Sequence, residues 1–204
     1  MGTVTLALRP AEKNLVKAHL EGRSNKYLQV FYPVRVEIDS VMDPDTIAPT
    51  RFQAYVKRRS RIHESTITFD RREETAFHKL PKGRTATVPV KPATQDGLSL
   101  VYYARTLDFH PGRSIPLEIS ADGKNWHLEG RILKVGRMKL KGLGSVPTVE
   151  GSVELAYPVP FFQGASARVW FSADGARIPL LAKIHSRIGP VTVVLTKRSS
   201  KVPS

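Results

Sequence analysis

The chain contains no cysteine among its 204 residues, which excludes thiolate zinc sites, iron–sulfur clusters, thiol catalysis and disulfide staples. Acidic residues are few beside basic ones, 18 against 32, leaving a net charge of +14 and a pI near 10.2. A field of that sign favours anionic partners such as lipid or glycolipid head groups, acidic polymers or nucleic acid. The excess is not confined to a tail: residues 1–102 carry 17 basic and 11 acidic groups, residues 103–204 carry 15 and 7. No apolar run approaches the ~20 residues a membrane helix needs. Met1-Gly2-Thr3 runs straight into Val4-Thr5-Leu6-Ala7-Leu8 with no basic start and no leader core, which points to the cytoplasm if this start is genuine. Internal repeats and low-complexity linkers are missing as well.

What is present is period-two alternation. Val34, Val36 and Ile38 alternate with Arg35, Glu37 and Asp39. Phe52, Ala54 and Val56 repeat the pattern, as do Ile115, Leu117 and Ile119, and again Ile178, Leu180, Ala182 and Ile184. One apolar and one polar face is what a half-buried antiparallel strand requires. Asp122-Gly123 and Asp174-Gly175 join strand-like runs, and Asp43-Pro44-Asp45 reads as a further reversal. With 41% apolar residues and a mean hydropathy of −0.24, the chain can build a core without staples. The expected architecture is all-β: one antiparallel sheet over residues 1–196, curled into a roll or barrel-like spiral, with a basic tail at 197–204.

One segment departs from the alternation. After Asp96, the residues Leu98, Val101, Tyr102 and Arg105 fall on one helical face, and Asp96 is placed to cap it. This predicts a short helix over about 97–106.

The same segment, Asp96-Gly97-Leu98-Ser99-Leu100-Val101-Tyr102-Tyr103-Ala104-Arg105, resembles the central signature of the bacterial family called domain of unknown function 3108. Phe31-Tyr32-Pro33-Val34 with Ile38-Asp39-Ser40 and Met42-Asp43-Pro44-Asp45-Thr46 resembles the family's early strand pair. Val169-Trp170-Phe171-Ser172, Arg177-Ile178-Pro179 and Ile188-Gly189-Pro190-Val191-Thr192 resemble its last hairpin and strand. The resemblance implies an exported, periplasmic protein of the Gram-negative envelope, a curled antiparallel sheet, and no enzyme activity, since none is established for the family. Members usually begin with a leader and one further strand, which this sequence does not show. Gly97 stands where the family usually has proline, and Met138 to Val149 fits the pattern poorly enough to be expected as a loop.

Catalytic motifs are not found. The six histidines have no metal-ligand spacing, and Ser99 lacks the G-x-S-x-G elbow and reads as a first-turn serine bonding backbone. Lys141-Gly142-Leu143-Gly144-Ser145 lacks the phosphate-loop pattern. No cofactor and no metal is therefore expected. Arg105 shares a face with Leu98 and Tyr102, so it either pairs internally, with Asp96 or Asp39 as candidates, or captures an anionic group inside the roll. Tyr102, Trp170, Tyr157 and Phe161 complete the candidate ligand-binding set, although aromatics of this kind more often serve as core. The prolines and aromatics of Tyr157 to Phe162 suit an edge or the lip of a cavity. The basic run Arg131 to Lys141 reads as one solvated strand face.

Two readings stay open. The first is a non-catalytic envelope protein that binds an anionic lipid, glycolipid or envelope polymer. The second is an envelope scaffold that docks on another protein without a small ligand. A cytoplasmic nucleic-acid binder ranks below both, because no RNP-type, KH or zinc motif accompanies the charge.

Overall fold

The computed structural model describes residues 2–24, 33–140, 144–155, 165–186 and 189–197. Within them the chain is all-β, with thirteen strands and one short α-helix. The first seven strands form a meander: β1 (Gly2–Pro10), β2 (Val16–Ser24), β3 (Val34–Met42), β4 (Pro49–Arg58), β5 (Arg61–Asp70), β6 (Thr75–Lys79) and β7 (Thr85–Pro89) lie in that order in one antiparallel sheet. The helix α1 (Ser99–Tyr103), extended by a 3-10 turn over Ala104–Thr106, follows. A second meander then runs through β8 (Ser114–Ala121), β9 (Lys124–Leu140), β10 (Gly144–Leu155), β11 (Ala165–Ser172), β12 (Pro179–Ser186) and β13 (Gly189–Val194).

The expectation of one long sheet thus gives way to two, neither of them closed among the described residues. The break has a local cause. Pro89 ends β7, and the chain from Val90 to Thr106 turns and becomes helical before extended structure resumes. The loop expected from Met138 to Val149 is also corrected: β9 continues to Leu140 and β10 begins at Gly144, where φ is +72°. Positive φ at a glycine closes a hairpin without a steric cost, so glycines here mark the end of a ladder rather than its absence. Lys141 to Leu143 lie outside the described residues.

The chain divides into two compact units, one of Met1–Tyr103 with Glu118–Asn125, the other of Ala104–Leu117 with Trp126–Ser204. In the first, alternation produces a two-faced sheet. Direct cross-strand neighbours on one face are Leu8, Ala18, Ser40, Phe52, Ile67 and His78, then Leu6, Leu20, Ile38 and Ala54, then Val4, Gly22, Val36 and Val56. The opposite face carries Lys17, His19, Glu21, Arg23, Arg35, Glu37, Asp39 and Lys57. Leu98 and Tyr102 of the helical segment pack on the apolar face against Ala18 and Met42, and a neighbouring cluster joins Ile67, Phe69, Ala76 and Val90. In the second unit, Ala167 and Phe171 of β11 and Val149 of β10 are buried.

The basic run on β9 does not line one face. Arg131 stands opposite Ser152 and Lys134 opposite Glu150, on one side of the sheet, because the register shifts between Glu150 and Gly151. Arg137 and Lys139 stand opposite Pro147 and Ser145, on the other side.

Candidate functional site

The helix that covers the apolar face is fixed at its start by two side chains already singled out, Asp96 and Ser99. Asp96 Oδ1 accepts hydrogen bonds from the amides of Leu98 and Ser99, both at 2.7 Å. Ser99 Oγ in turn accepts from the Asp96 amide at 2.9 Å, the reciprocal arrangement of a capping box. The other carboxylate oxygen accepts from Ser40 Oγ of β3 at 2.6 Å. Asp96 is fully buried, and burial pushes its carboxyl above the usual range against the pull of the Ser40 hydroxyl and the helix amides. Burial lowers the pKa of Arg71, which Asp96 opposes, and the Arg71 donors go to the carbonyls of Pro49, Lys91 and Thr94. Asp96 is therefore a joint between sheet and helix.

His78 and Ser120 form a pair that invites a catalytic reading. Their Nε2 to Oγ distance is 3.0 Å. However, His78 Nδ1 stands 3.2 Å from the Gly123 amide, which can only donate. Nδ1 is thus the acceptor, Nε2 carries the proton, and the ring cannot take a proton from the serine. Both residues are fully buried, and burial lowers the His78 pKa to about 4. Gly123 holds φ +76°, and a Cβ there would sit 3.0 Å from Ala86 Cβ and 3.2 Å from Leu80 Cδ1. This cluster is a packed, neutral tie.

Three other histidines each meet one acid. His19 lies 2.6 Å from Asp39, whose carboxyl burial would raise but which Lys17 and His19 together hold below its usual range. His63 is 3.9 Å from Asp122, and His110 is 2.5 Å from Asp108. Among the described residues no three His, Asp or Glu side chains are grouped to hold a metal ion.

The residues singled out from the sequence do not gather in one unit. Tyr102 belongs to the first unit, 8% exposed and packed with Ala18, Met42 and Leu98. Arg105 belongs to the second, where Nε and one terminal nitrogen both donate to the Ala176 carbonyl, at 3.2 and 2.8 Å. Asp39 and Asp96, the carboxylates considered for it, have the partners already described. Arg177 answers in the reverse direction, donating to the carbonyls of Arg105 and Leu107 and lying 4.8 Å over the Phe109 ring. Phe109 in turn meets Phe171 at 5.2 Å. Two arginines thus tie the segment after the helix to the β11–β12 turn. Trp170 is 9% exposed, stands opposite Glu150, and has Lys183 Nζ 5.7 Å from its ring. Glu150, buried, takes Arg168 at 3.3 Å and Lys134 at 3.6 Å. Tyr157 and Phe161 lie outside the described residues, as do Phe31, Tyr32, Ile188 and the tail beyond Lys197.

The feature that best suits a ligand is the part of the apolar face the helix leaves open. The core cluster that holds Leu98 and Tyr102 reaches Leu20 and Ile38, which remain half-buried. Past them, Val36 and Ala54 are half-buried, and on the edge strand Val4, Leu6 and Leu8 are 47%, 42% and 47% exposed. A contiguous apolar strip with an exposed margin is where an apolar partner binds. The sequence signal for it was the alternation Val4-x-Leu6-x-Leu8, but the small residues Ala18 and Gly22 hid its continuation on β2.

Fold and site together define an all-β protein of antiparallel meanders with a short capped helix and an open apolar face. The chain belongs to the family described as Protein of unknown function (DUF3108), whose model matches residues 1–196. It is similar in fold to the "Beta-barrel-like Protein of Domain of Unknown Function DUF1849 from Brucella abortus", with a TM-score of 0.60 at 10% identity, covering 96% of this chain and 89% of that one. No curated protein matches it. No helix among the described residues is long and apolar enough to cross a membrane.

Proposed function

We propose that residues 1–196 act as one non-catalytic binding domain of the bacterial envelope that takes an anionic amphiphile, its acyl part lying on the open apolar face. The observation that carries this reading is the strip Leu6, Leu20, Val36, Ile38 and Ala54, contiguous by strand register and incompletely covered. The charge of +14 supports an anionic rather than a neutral ligand. The proton placement in the His78–Ser120 pair supports a non-catalytic role. A curled sheet enclosing the acyl part belongs to the same proposal, and it draws support from the similar Brucella protein, which is called beta-barrel-like. Periplasmic placement rests on the family resemblance.

Native mass spectrometry of protein purified from envelope extracts tests this. A lipid-like adduct lost on activation is expected. A clean unliganded mass, together with no uptake of added amphiphile, contradicts the proposal. A second reading, docking of another envelope protein, draws on β1 as the edge of its sheet, with an apolar side and no acidic residue. Pull-down that survives loss of the apolar strip but fails when β1 is changed would favour it.

A further inference from the structure

The second unit carries a cationic face of its own, at the outer end of the β9–β10 hairpin. From Gly130 to Val149 the chain holds Arg131, Lys134, Arg137, Lys139 and Lys141 and no acidic residue. Strand register divides them. Lys134 stands opposite Glu150, which is buried and also takes Arg168, so charge on that side is answered. Arg137 and Lys139 share the other side, opposite Pro147 and Ser145. Arg137 is held by neutral groups, its Nε 3.1 Å from Ser145 Oγ and one terminal nitrogen 2.9 Å from the Ser145 carbonyl oxygen. Its position is fixed and its charge is left uncompensated. Asp174 follows Ala173, whose amide bonds the Pro147 carbonyl, but the Asp174 carboxylate accepts from Ser172 Oγ and from the amides of Ala176 and Arg177.

Apolar side chains flank these cations. Val135, two residues before Arg137 on the same side, is 56% exposed, and Leu133, which the register shift leaves without a partner on β10, is 38% exposed. Pro147 is exposed as well. The far edge of β9 is bonded by Gly112 and Arg113 at Ile132, and no described strand continues along Leu133 to Leu140 on that edge. A two-stranded ladder showing valine and leucine beside two uncompensated cations suits a bilayer with anionic head groups. Its negative potential attracts the cations, and its acyl boundary takes the apolar side chains. Other polyanions fit less well. Single-stranded nucleic acid calls for aromatic platforms, and the chain from Leu133 to Pro147 has no aromatic residue. Lysine and arginine along an open edge oppose the addition of a further strand. We infer that the exposed side of the β9–β10 hairpin, Val135, Arg137, Lys139 and Pro147 with Leu133 at its base, docks the protein on an anionic lipid bilayer. This surface belongs to the second unit and does not rest on the apolar strip of the first.

Sedimentation of the full chain with extruded vesicles tests this. The wild type is expected to bind vesicles of equimolar phosphatidylcholine and phosphatidylglycerol about tenfold or more tightly than phosphatidylcholine alone, a difference that shrinks as salt rises. Arg137→Gln/Lys139→Gln is expected to lose about tenfold on the anionic vesicles, and Val135→Thr about threefold. Lys139→Gln alone, at an exposed side chain, gives the same comparison should the double variant not fold. Arg51→Gln/Lys57→Gln removes the same charge at exposed positions of β4 and is expected to lose less than about threefold. A loss there equal to that of the hairpin variant would make binding a property of the total charge and overturn the docking surface. Hairpin variants that bind as the wild type does overturn it too. So do equal binding to both kinds of vesicle, binding to neither, and capture of polyglutamate or oligothymidylate in place of vesicles. Leu6→Glu is expected to bind the vesicles as the wild type does; loss in that variant would move the membrane contact to the apolar strip and overturn the hairpin, whereas failure of the hairpin variants alone leaves the strip standing.

Discussion

Ser40 Oγ donates to Asp96 Oδ2 across 2.6 Å, joining a strand residue to the cap of helix α1, both fully buried. Removing either partner strands the other away from water. Asp96→Ala is expected to cost about 2–4 kcal/mol, the loss of an N-cap plus an unsatisfied buried hydroxyl. Asp96→Asn, which keeps the acceptor for the two helix amides, is expected to cost about 1 kcal/mol or less. Urea unfolding of the two variants decides this, and equal losses would contradict it.

His78 makes folding sensitive to acid. Its folded pKa of about 4 lies below the ordinary 6.5, so between those values the unfolded chain binds a proton that the folded chain refuses. The contribution is intact above pH 6.5, declines as pH falls, and levels off below about pH 4. Its full size is about 3 kcal/mol. Stability measured against pH should lose this slope in His78→Gln. An unchanged slope would mean that His78 titrates normally.

Arg177 donates to the carbonyls of Arg105 and Leu107 while lying on Phe109. One terminal nitrogen makes both bonds while the guanidinium plane lies on the ring, and a lysine ammonium has no plane to stack. Arg177→Lys is expected to lower stability by about 1–2 kcal/mol, read from the shift in denaturation midpoint.

Arg59 holds φ +53° in the turn between β4 and β5. Glycine relieves the positive φ, so Arg59→Gly should raise stability by up to about 1 kcal/mol. Thermal melts check this, and a lower midpoint in the variant would contradict it.

Local chemistry was the legible part of this sequence. Alternation at Val34 to Ile38 and Phe52 to Val56 fell into β3 and β4, and the Asp96 cap with its Ser99 partner formed as the spacing implied. Asp122, at φ +52°, and Gly123 turned the chain as an Asp-Gly pair should. What depended on distant partners was not legible. Arg105 found a main-chain carbonyl, and every residue has one, so no residue type announces it. The division into two sheets follows from where pairing stops, at Pro89, rather than from any change in alternation. The basic run at 131–141 was visible as charge, but only the register with β10 put Arg137 and Lys139 on one side and Lys134 on the other.

The most direct test is an amide chemical-shift titration of the full chain with dodecyl phosphate, repeated on Leu6→Glu. Saturable shifts gathered at Leu6, Leu20, Val36 and Ile38, and lost along the strip in the variant, are the predicted result. Shifts spread evenly over the chain, or gathered elsewhere and indifferent to Leu6→Glu, would contradict it.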